Sequence, residues 1–525
     1  MDREIKNRAI NETQQGDPRF FMENLLKVAS KENDIVPFKF NKLQNYMHEH
    51  RTGRDYWLKF RQGGSSLYHL GTLVAYASCV PLFNAAIITL STDKGHTKER
   101  LFRHVKRFID EMPPGVAPKI GADRSDYLEF PELESQIFIG GVGSREFGRS
   151  ETISSLMVTE LGSFTDSDAE NVLTSAIESV VPGGMFVFET TPKTAGSYAH
   201  LFYEQCKAGD KPYTAHFIPW WFAGDYHYER NSYECLARDR GELTFSPEEA
   251  ALIEKFPIDG VPHEDRIRWR RAKLADRETD FYSEYPEDEI TCWASRVNSV
   301  FPADRIRSMM NDLREPVEVV DGVLRIYKYA DSSRTYVIGA DAAGGIPGGD
   351  SSAGAIQDVQ TGEVVAVLHG LIGGKELVRR MAEASLRYGR AMVGGERDAW
   401  TMPMMDELEA LGIPCYYHDD GKLGFPNTNT SRMQGIAALR SAISDVDFLS
   451  ADKTLVQELA NYERNTDSNS KVESYSAPSG QHDDLCVAAQ RAQQIRMTVP
   501  GQSMFNPRVP IPEAIGMYEL PRSGW

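Results

Sequence analysis

The sequence predicts an α/β chain with two separate strand-and-helix units. Three observations predict it. Apolar strand-like runs alternate with helix-period segments between residues 37 and 215 and again between 334 and 496. A strand at Tyr56–Phe60 breaks into small and polar residues, Arg61-Gln62-Gly63-Gly64-Ser65-Ser66, and a helical pattern (Leu67, Leu70, Leu73, Val74) follows at once. In the second half, acidic residues stand at the ends of separate elements, Asp341, Glu396 and the pair Asp483-Asp484.

Bulk properties narrow the class. A length of 525 residues suggests two to four domains. Hydrophobic residues at 41% and charged residues at 26% are ordinary for a globular chain. The net charge of −18 gives no overall basic field, so any nucleic-acid contact must come from local basic grooves. The six cysteines form no C-x-x-C pair, which argues against zinc and against a disulfide framework, and a reducing compartment is the simplest expectation. The N-terminus, Met-Asp-Arg-Glu-Ile-Lys, has no apolar signal core. The longest apolar run, Leu73–Leu90, is interrupted by Ser78, Pro81 and Asn84 and predicts a helix, a turn and a strand rather than a membrane span.

In order, residues 1–36 form a polar extension, and Pro37 to Gln44 lead into the opening strand and loop. Further strands are predicted at Asn84–Leu90, Gln136–Gly140, Ser155–Thr159 and Met185–Phe188, with helices at Lys94–Met112 and Asp166–Val180. This alternation predicts a parallel, doubly wound sheet over 37–215. Residues 216–310 change composition: Trp220, Trp221, Tyr226 and Tyr228 precede charged helices at Pro247–Phe256 and His263–Ala275, which predicts a smaller subdomain. Residues 311–333 read as a linker. From 334 a second pattern runs through strands at Tyr336–Asp341, Ser352–Asp358, Glu363–His369, Ala391–Glu396 and Ile413–Tyr417, and ends in a helix from His482 to about Arg496. Residues 497–525, rich in Pro and Gly, read as an extended tail.

The chemistry of the first half centres on residues 61–66. Strand, glycine-rich turn and helix is the architecture of a phosphate cradle, because backbone N–H groups at a helix N-terminus point at an anion and glycine admits it closely. Ser65 stands where a Lys is usual, and the nearby cations are Arg61 and Lys59, before the glycines. A triphosphate bound there also needs an acid at a neighbouring strand end to activate water. Glu160 after Thr159 supplies it, with Thr159 standing where an Asp is common and Ser66 left to carry the metal. Arg145 and Arg149 lie in the glycine-rich loop before that strand; a loop arginine near a γ-phosphate neutralises developing charge, or else is merely solvated. Thr191, after Glu189 and Thr190, can sense the γ-phosphate or simply stabilise a turn. The amide of Gln44 can read an adenine edge or be polar surface.

The second half carries the stronger signal. Carboxylates at the ends of separate strands and of a final helix converge at one sheet edge, where three or four of them hold two Mg²⁺ or Mn²⁺ about 3.5–4 Å apart for phosphodiester hydrolysis. Strand-Asp341, strand-Glu396, helix-Asp483 or -Asp484 is the ribonuclease H-like order. Each has a plain alternative: Asp341 caps a turn, Glu396 pairs with Arg397 or a lysine, and Asp483 or Asp484 caps the last helix. All three plain roles holding together is less expected than a metal site. His482 orients an acid or lies on the surface.

Over residues 37–495 the chain resembles the large terminase subunit of tailed bacteriophages. Arg61-Gln62-x-Gly64-x-Ser66 resembles that family's deviant Walker A, and Gly148-Arg149 with the Thr159-Glu160 strand its Gly-Arg loop and Walker B. Phe188-Glu189-Thr190-Thr191 is similar to its coupling segment and Glu284-Tyr285-Pro286 to its lid. Gly339-x-Asp341-x-Ala343-x-Gly345, Glu396 and His482-Asp483-Asp484-Leu485 are similar to its nuclease motifs. Two departures are Thr159, where many members have an acid, and Leu67 after Ser66, where a hydroxyl is common. The resemblance implies an ASCE/RecA-like P-loop ATPase with a lid, a ribonuclease H-like nuclease at 334–496, and ATP and Mg²⁺ (Mn²⁺ at the nuclease) as cofactors. It implies Arg61 to Ser66 as the ATP loop, Arg149 as a trans-acting arginine finger and Glu160 as base. It further implies ATP-driven packaging and cutting of double-stranded viral DNA, a portal or prohead and a small terminase subunit as partners, a homo-oligomeric ring such as a pentamer, and a place in the host cytoplasm. Rival readings are a helicase-nuclease, a DNA-binding ATPase with an inactive nuclease fold, and a transposase-like recombinase.

Overall fold

The computed structural model describes residues 3–30, 34–90, 97–142, 152–277, 280–293, 299–346, 350–466, 473–477 and 482–499. The chain divides into two units, Met1–Ser295 and Arg296–Trp525.

The first unit holds a seven-stranded sheet: β1 (Arg54–Lys59), β2 (Asn84–Thr89), β3 (Tyr127–Phe130), β4 (Ser135–Gly141), β5 (Ile153–Thr159), β6 (Val180–Thr190) and β7 (Thr214–Ile218), in the order β3-β4-β2-β5-β6-β1-β7. All pairings are parallel except β3 with β4. The continuous apolar runs explain this. Five consecutive residues of β1 and five of β2 are buried, as strands covered on both faces require. Strand β6 lies between the loop strand β1 and β5, so the end of β6 sits between the Gly-Gly-Ser-Ser loop and Glu160. Two helices frame the loop: α1 (Lys42–His50) before it and α2 (Ser65–Ala77) after it, the latter buried almost throughout.

The aromatic stretch predicted as a distinct subdomain shares the core of this sheet. Trp220, Trp221, Trp269, Phe281 and Tyr285 belong to the same buried cluster as Trp57, Phe60 and Leu70. Helix α3 (His263–Asp276) is rich in arginine, yet each of these side chains is internally neutralised. Arg266 pairs with Asp259, Arg268 with Asp265, Arg270 with Glu287 and Glu248, and Arg271 with Glu249 and Asp239. These arginines brace the subdomain rather than offering a free cationic face.

The second unit is a mixed sheet of β8 (Glu318–Val320), β9 (Leu324–Ile326), β10 (Tyr336–Asp341), β11 (Ser352–Asp358), β12 (Glu363–Gly370) and β13 (Met392–Gly395), ordered β8-β9-β12-β11-β10-β13. Strands β12, β11 and β10 run antiparallel in turn, and β13 adds parallel to β10. This is the ribonuclease H-like arrangement expected from the carboxylate order. Two expectations are corrected. Residues read as a linker form β8 and β9, and β9 pairs with β12 because Leu324 and Ile326 are apolar enough to extend the sheet. Ile413–Tyr417 is no strand; it makes single bridges, Val393 with Cys415 and Tyr417 with Leu423, since Pro414 interrupts the ladder.

The last helix, α4 (Asp484–Thr498), packs on β10 at Gly339. A Cβ there would stand 2.0 Å from the Ala488 carbonyl oxygen and 2.2 Å from the Ala492 nitrogen, both backbone atoms of α4. Only glycine permits this approach, which sets Asp484 beside the end of β10. Gly339→Ala is therefore expected to destabilise the unit by about 1–3 kcal/mol or more, read by denaturant unfolding. Gly224→Ala, whose Cβ meets nothing within 4 Å, is expected to stay within about 0.5 kcal/mol.

Candidate functional site

Two clusters of functional side chains sit at the C-terminal ends of the two sheets' strands. In the first unit, β1 delivers the chain into the loop at Lys59, and the loop turns through left-handed backbone at Gln62 (φ 62°) and Gly64 (φ 84°). Two side chains of the α1 cap grip it from behind: Asn41 Nδ2 donates to the Gly63 carbonyl at 3.0 Å and Gln44 Nε2 to the Gly64 carbonyl at 2.9 Å. Gln44 Oε1 also accepts from the Asn41 N–H at 3.0 Å, completing a capping box. One end of the Gln44 amide thus holds the loop and the other closes the α1 cap. The glycines are required by this grip, since a Cβ on Gly64 would stand 2.8 Å from Gln44 Nε2 and one on Gly63 2.5 Å from Leu43 Cδ2.

Beyond the loop, the first turn of α2 faces Glu189 at the end of β6. This carboxylate is fully buried and accepts hydrogen bonds from the hydroxyls of Ser65 and Ser66, and from Thr159 Oγ1 at 2.8 Å. Burial alone would raise its pKa, but Lys59, His69 and the two serine hydroxyls hold it below the usual carboxylate value. Lys59 is buried as well, with Nζ 3.5 Å from Glu160 Oε1. Burial would lower its pKa, and Glu160 and Glu189 together drive it above the ordinary lysine value. Glu160 itself turns through left-handed backbone (φ 60°) and is partly exposed, while its N–H donates to the Glu189 carbonyl at 2.8 Å. Strand β6 therefore ties the Glu160 turn to the loop. Thr191 is buried next to Thr190, whose hydroxyl donates to the Thr191 carbonyl at 2.7 Å.

Arg61 faces elsewhere. Its Nη1 lies 3.1 Å from Glu284 Oε2, its N–H donates to the Glu284 carbonyl, and its own carbonyl accepts from Tyr226. Lys193 holds the other Glu284 oxygen at 2.8 Å. Arg61 thus links the loop to the aromatic subdomain, while Lys59, the other cation noted from sequence, is the one that reaches Glu160. Arg145 and Arg149 lie outside the described residues.

In the second unit, Asp341 ends β10, Asp484 opens α4, and both line a cavity of about 240 Å³ with Gly344, Asp350, Ser351 and Trp400. Burial, then the charges of Asp484, Asp398, Glu396 and Asp483, push the Asp341 carboxyl well above the usual range. Asp484 is pushed up to about 6, chiefly by burial, although Ser351 N–H donates to its Oδ2 at 3.0 Å. Asp350, His482 and Asp484 each offer a ligand atom within 4.8 Å of the others. The carboxylates suit a hard divalent cation such as Mg²⁺ or Mn²⁺, and the imidazole a borderline one.

The other predicted acids are placed differently. Asp483 Oδ2 accepts from the Ala477 N–H at 2.9 Å, and Asp484, not Asp483, lines the cavity. Glu396 is buried and its Oε1 pairs with Arg491 of α4 and, at 3.5 Å, with Arg432. Its cation is neither of those weighed from sequence; Arg397 pairs with Asp420 instead. Residues missed were Asp350, Asp398 and Arg491. The available signals were the glycine run ending at Asp350, the Glu396-x-Asp398 spacing, and Arg491 lying two helical turns after Asp484.

No protein-family model and no curated protein matches the chain. Solved structures do. The chain is similar to phage large terminases. The crystal structure of the HK97 bacteriophage large terminase shares 13% identity at a TM-score of 0.40, covering 94% of this chain and 100% of that one. A large terminase from a thermophilic bacteriophage shares 12% at 0.31, covering 88% and 99%. The large terminase nuclease from thermophilic phage G20c with bound magnesium shares 22% at 0.32, covering 38% of this chain and 98% of that one.

The acid cluster makes a prediction that needs no enzyme assay. Because the folded pKa of Asp341 is raised, its share of stability is present below about pH 4 and is lost as pH rises through the folded value. In metal-free protein near neutral pH, Asp341→Asn should thus raise stability. Mg²⁺ should raise the Tm of the wild type and not of the variant. An equal Mg²⁺ shift in both would exclude Asp341 as a ligand.

Proposed function

We propose that the chain is a large terminase subunit, in which the first unit hydrolyses ATP to move double-stranded DNA and the second cuts it. One observation carries this reading: a single chain combines a glycine loop held against a strand-end carboxylate set with a ribonuclease H-like sheet whose acids share a cavity. In the first unit Lys59 and the loop backbone would hold the phosphates, Ser66 the Mg²⁺, and Glu160 would take the proton of the attacking water. Arg61, through Glu284, would pass the state of the loop to the aromatic subdomain. In the second unit Asp341 and Asp484, with Glu396 or Asp350 beside them, would hold divalent cations, which supply Lewis-acid stabilisation of the phosphodiester's developing charge.

The partners that belong to this reading are duplex DNA, a portal or prohead, a small terminase subunit and further copies of the chain in a ring. Arg149 would complete a neighbour's ATP site. No helix among the described residues is long and apolar enough to cross a membrane. The contact of Arg491 with Glu396 favours a second reading, an ATPase whose nuclease fold no longer cuts, since a guanidinium occupies one acid's oxygen.

Purified chain with portal-bearing proheads separates these readings. Glu160→Gln is expected to lower DNA-stimulated ATP turnover about 10²–10⁴-fold and leave plasmid cutting intact. Asp341→Asn is expected to do the reverse. Unchanged turnover in the first variant, or plasmid nicking at the wild-type rate with Mn²⁺ in the second, would refute the corresponding site. Absence of cutting by the wild type with Mg²⁺ or Mn²⁺ would favour the inactive-nuclease reading.

A further inference from the structure

The acid usually found at the end of the β5 strand is missing, because Thr159 occupies its place. The structure shows where a carboxylate reappears. Glu189 ends the adjacent strand β6, the strand inserted between the loop and Glu160. The Ser66 hydroxyl, to which the metal of a bound nucleotide is assigned, donates to Glu189 Oε1, and Thr159 donates to the same oxygen at 2.8 Å. Ser65, in the position where a lysine is usual, donates to Oε2. Two strand ends and the first turn of α2 thus converge on one buried carboxylate. Lys59 approaches from β1, close enough for both Glu160 and Glu189 to act on its charge.

A purely structural carboxylate would be a costly choice here, since the hydroxyls of Ser65, Ser66 and Thr159 could bond one another or water without burying a charge. A cation held by the Ser66 hydroxyl, however, would have Glu189 as the nearest anion. Thr159, bonded to Glu189, then orients this acid in the way a hydrogen-bonding partner orients a metal-site carboxylate.

We propose that Glu189 is the acid of the nucleotide-metal site, taking over from β6 the charge that Thr159 does not supply from β5. This rests on the ATP reading of the first unit. It assigns to Glu189 the recognition of the divalent cation of a metal–nucleoside triphosphate complex and leaves proton abstraction to Glu160.

The test is binding of ATPγS by the full chain, titrated by calorimetry with Mg²⁺ and with EDTA, and accompanied by thermal unfolding. In the wild type, Mg²⁺ should tighten ATPγS binding. In Glu189→Gln that tightening should shrink by about 10–100-fold, with affinity in EDTA kept. Placing the acid back on β5, in the double variant Thr159→Asp with Glu189→Gln, should restore it. Glu160→Gln should keep the Mg²⁺ effect, because that residue serves the water. The proposal is overturned if Glu189→Gln keeps the wild-type Mg²⁺ effect, or loses affinity equally with and without Mg²⁺, as a structural role predicts. Should Glu189→Gln fail to fold, the double variant decides: a folded protein with the Mg²⁺ effect supports the proposal, and one without it overturns it. If the wild type binds no ATPγS under either condition, the nucleotide reading itself falls, an outcome distinct from a Glu189 variant that binds without metal dependence.

Discussion

Buried carboxylates at strand ends must be compensated, and the two units meet this constraint in opposite ways. In the first, Glu189 is neutralised internally: three hydroxyls donate to it and Lys59 lies close by, so its charge is held even in complete burial. In the second, Asp341 and Asp484 face one another's charge, and the Ser351 N–H and His482 beside Asp484 offset it only in part, since both carboxyls stay raised. The first cluster is satisfied as it stands. The second is electrostatically incomplete, the condition in which a divalent cation contributes most.

Arg491 explains how the second cluster remains foldable. It reaches from α4 to Glu396, removing one carboxylate from the mutual repulsion around Asp341. The same helix presents Asp484 to the cavity. Its position is set by Gly339, where helix backbone touches strand backbone. One packing contact therefore fixes both the acid that lines the cavity and the cation that balances its neighbour. A change at Gly339 would disturb both without altering a charged residue.

Two short links join the loop of the first unit to its surroundings. Strand β6 joins the Glu160 turn to the loop through the Glu189 backbone and side chain. Arg61 joins the loop to Glu284, which Lys193 also holds. The subdomain that receives this link is braced by α3, whose arginines are each paired with an acid and whose Trp269 stacks on Tyr226. These pairs stiffen the subdomain, because breaking any buried pair would expose an uncompensated charge.

Alternating apolar runs and helix-period segments marked the central strands of both sheets, since strands covered on two faces must be apolar throughout, while the short outer strands β3, β7, β8 and β9 carried too little of that pattern to be seen. The glycine loop, Glu160 and Asp341 were legible because each stands where an apolar run stops, and the pair Asp483-Asp484 because it stands where the last one begins. Partner choice was not local. That Gln44 grips Gly64, that Arg61 turns to Glu284 rather than into the loop, and that Glu396 meets Arg491 depend on elements distant in the chain being brought together. The hydrogen-bond partners of Glu189 were hidden most completely. Glu189 follows Phe188 as one more residue of a strand, and only the order β5-β6-β1 puts it between Thr159 and Ser66. The sequence by itself determined where carboxylates and hydroxyls could appear, because strand ends are written in hydropathy. The tertiary structure alone decided which of them share a site, because that depends on which strands lie side by side.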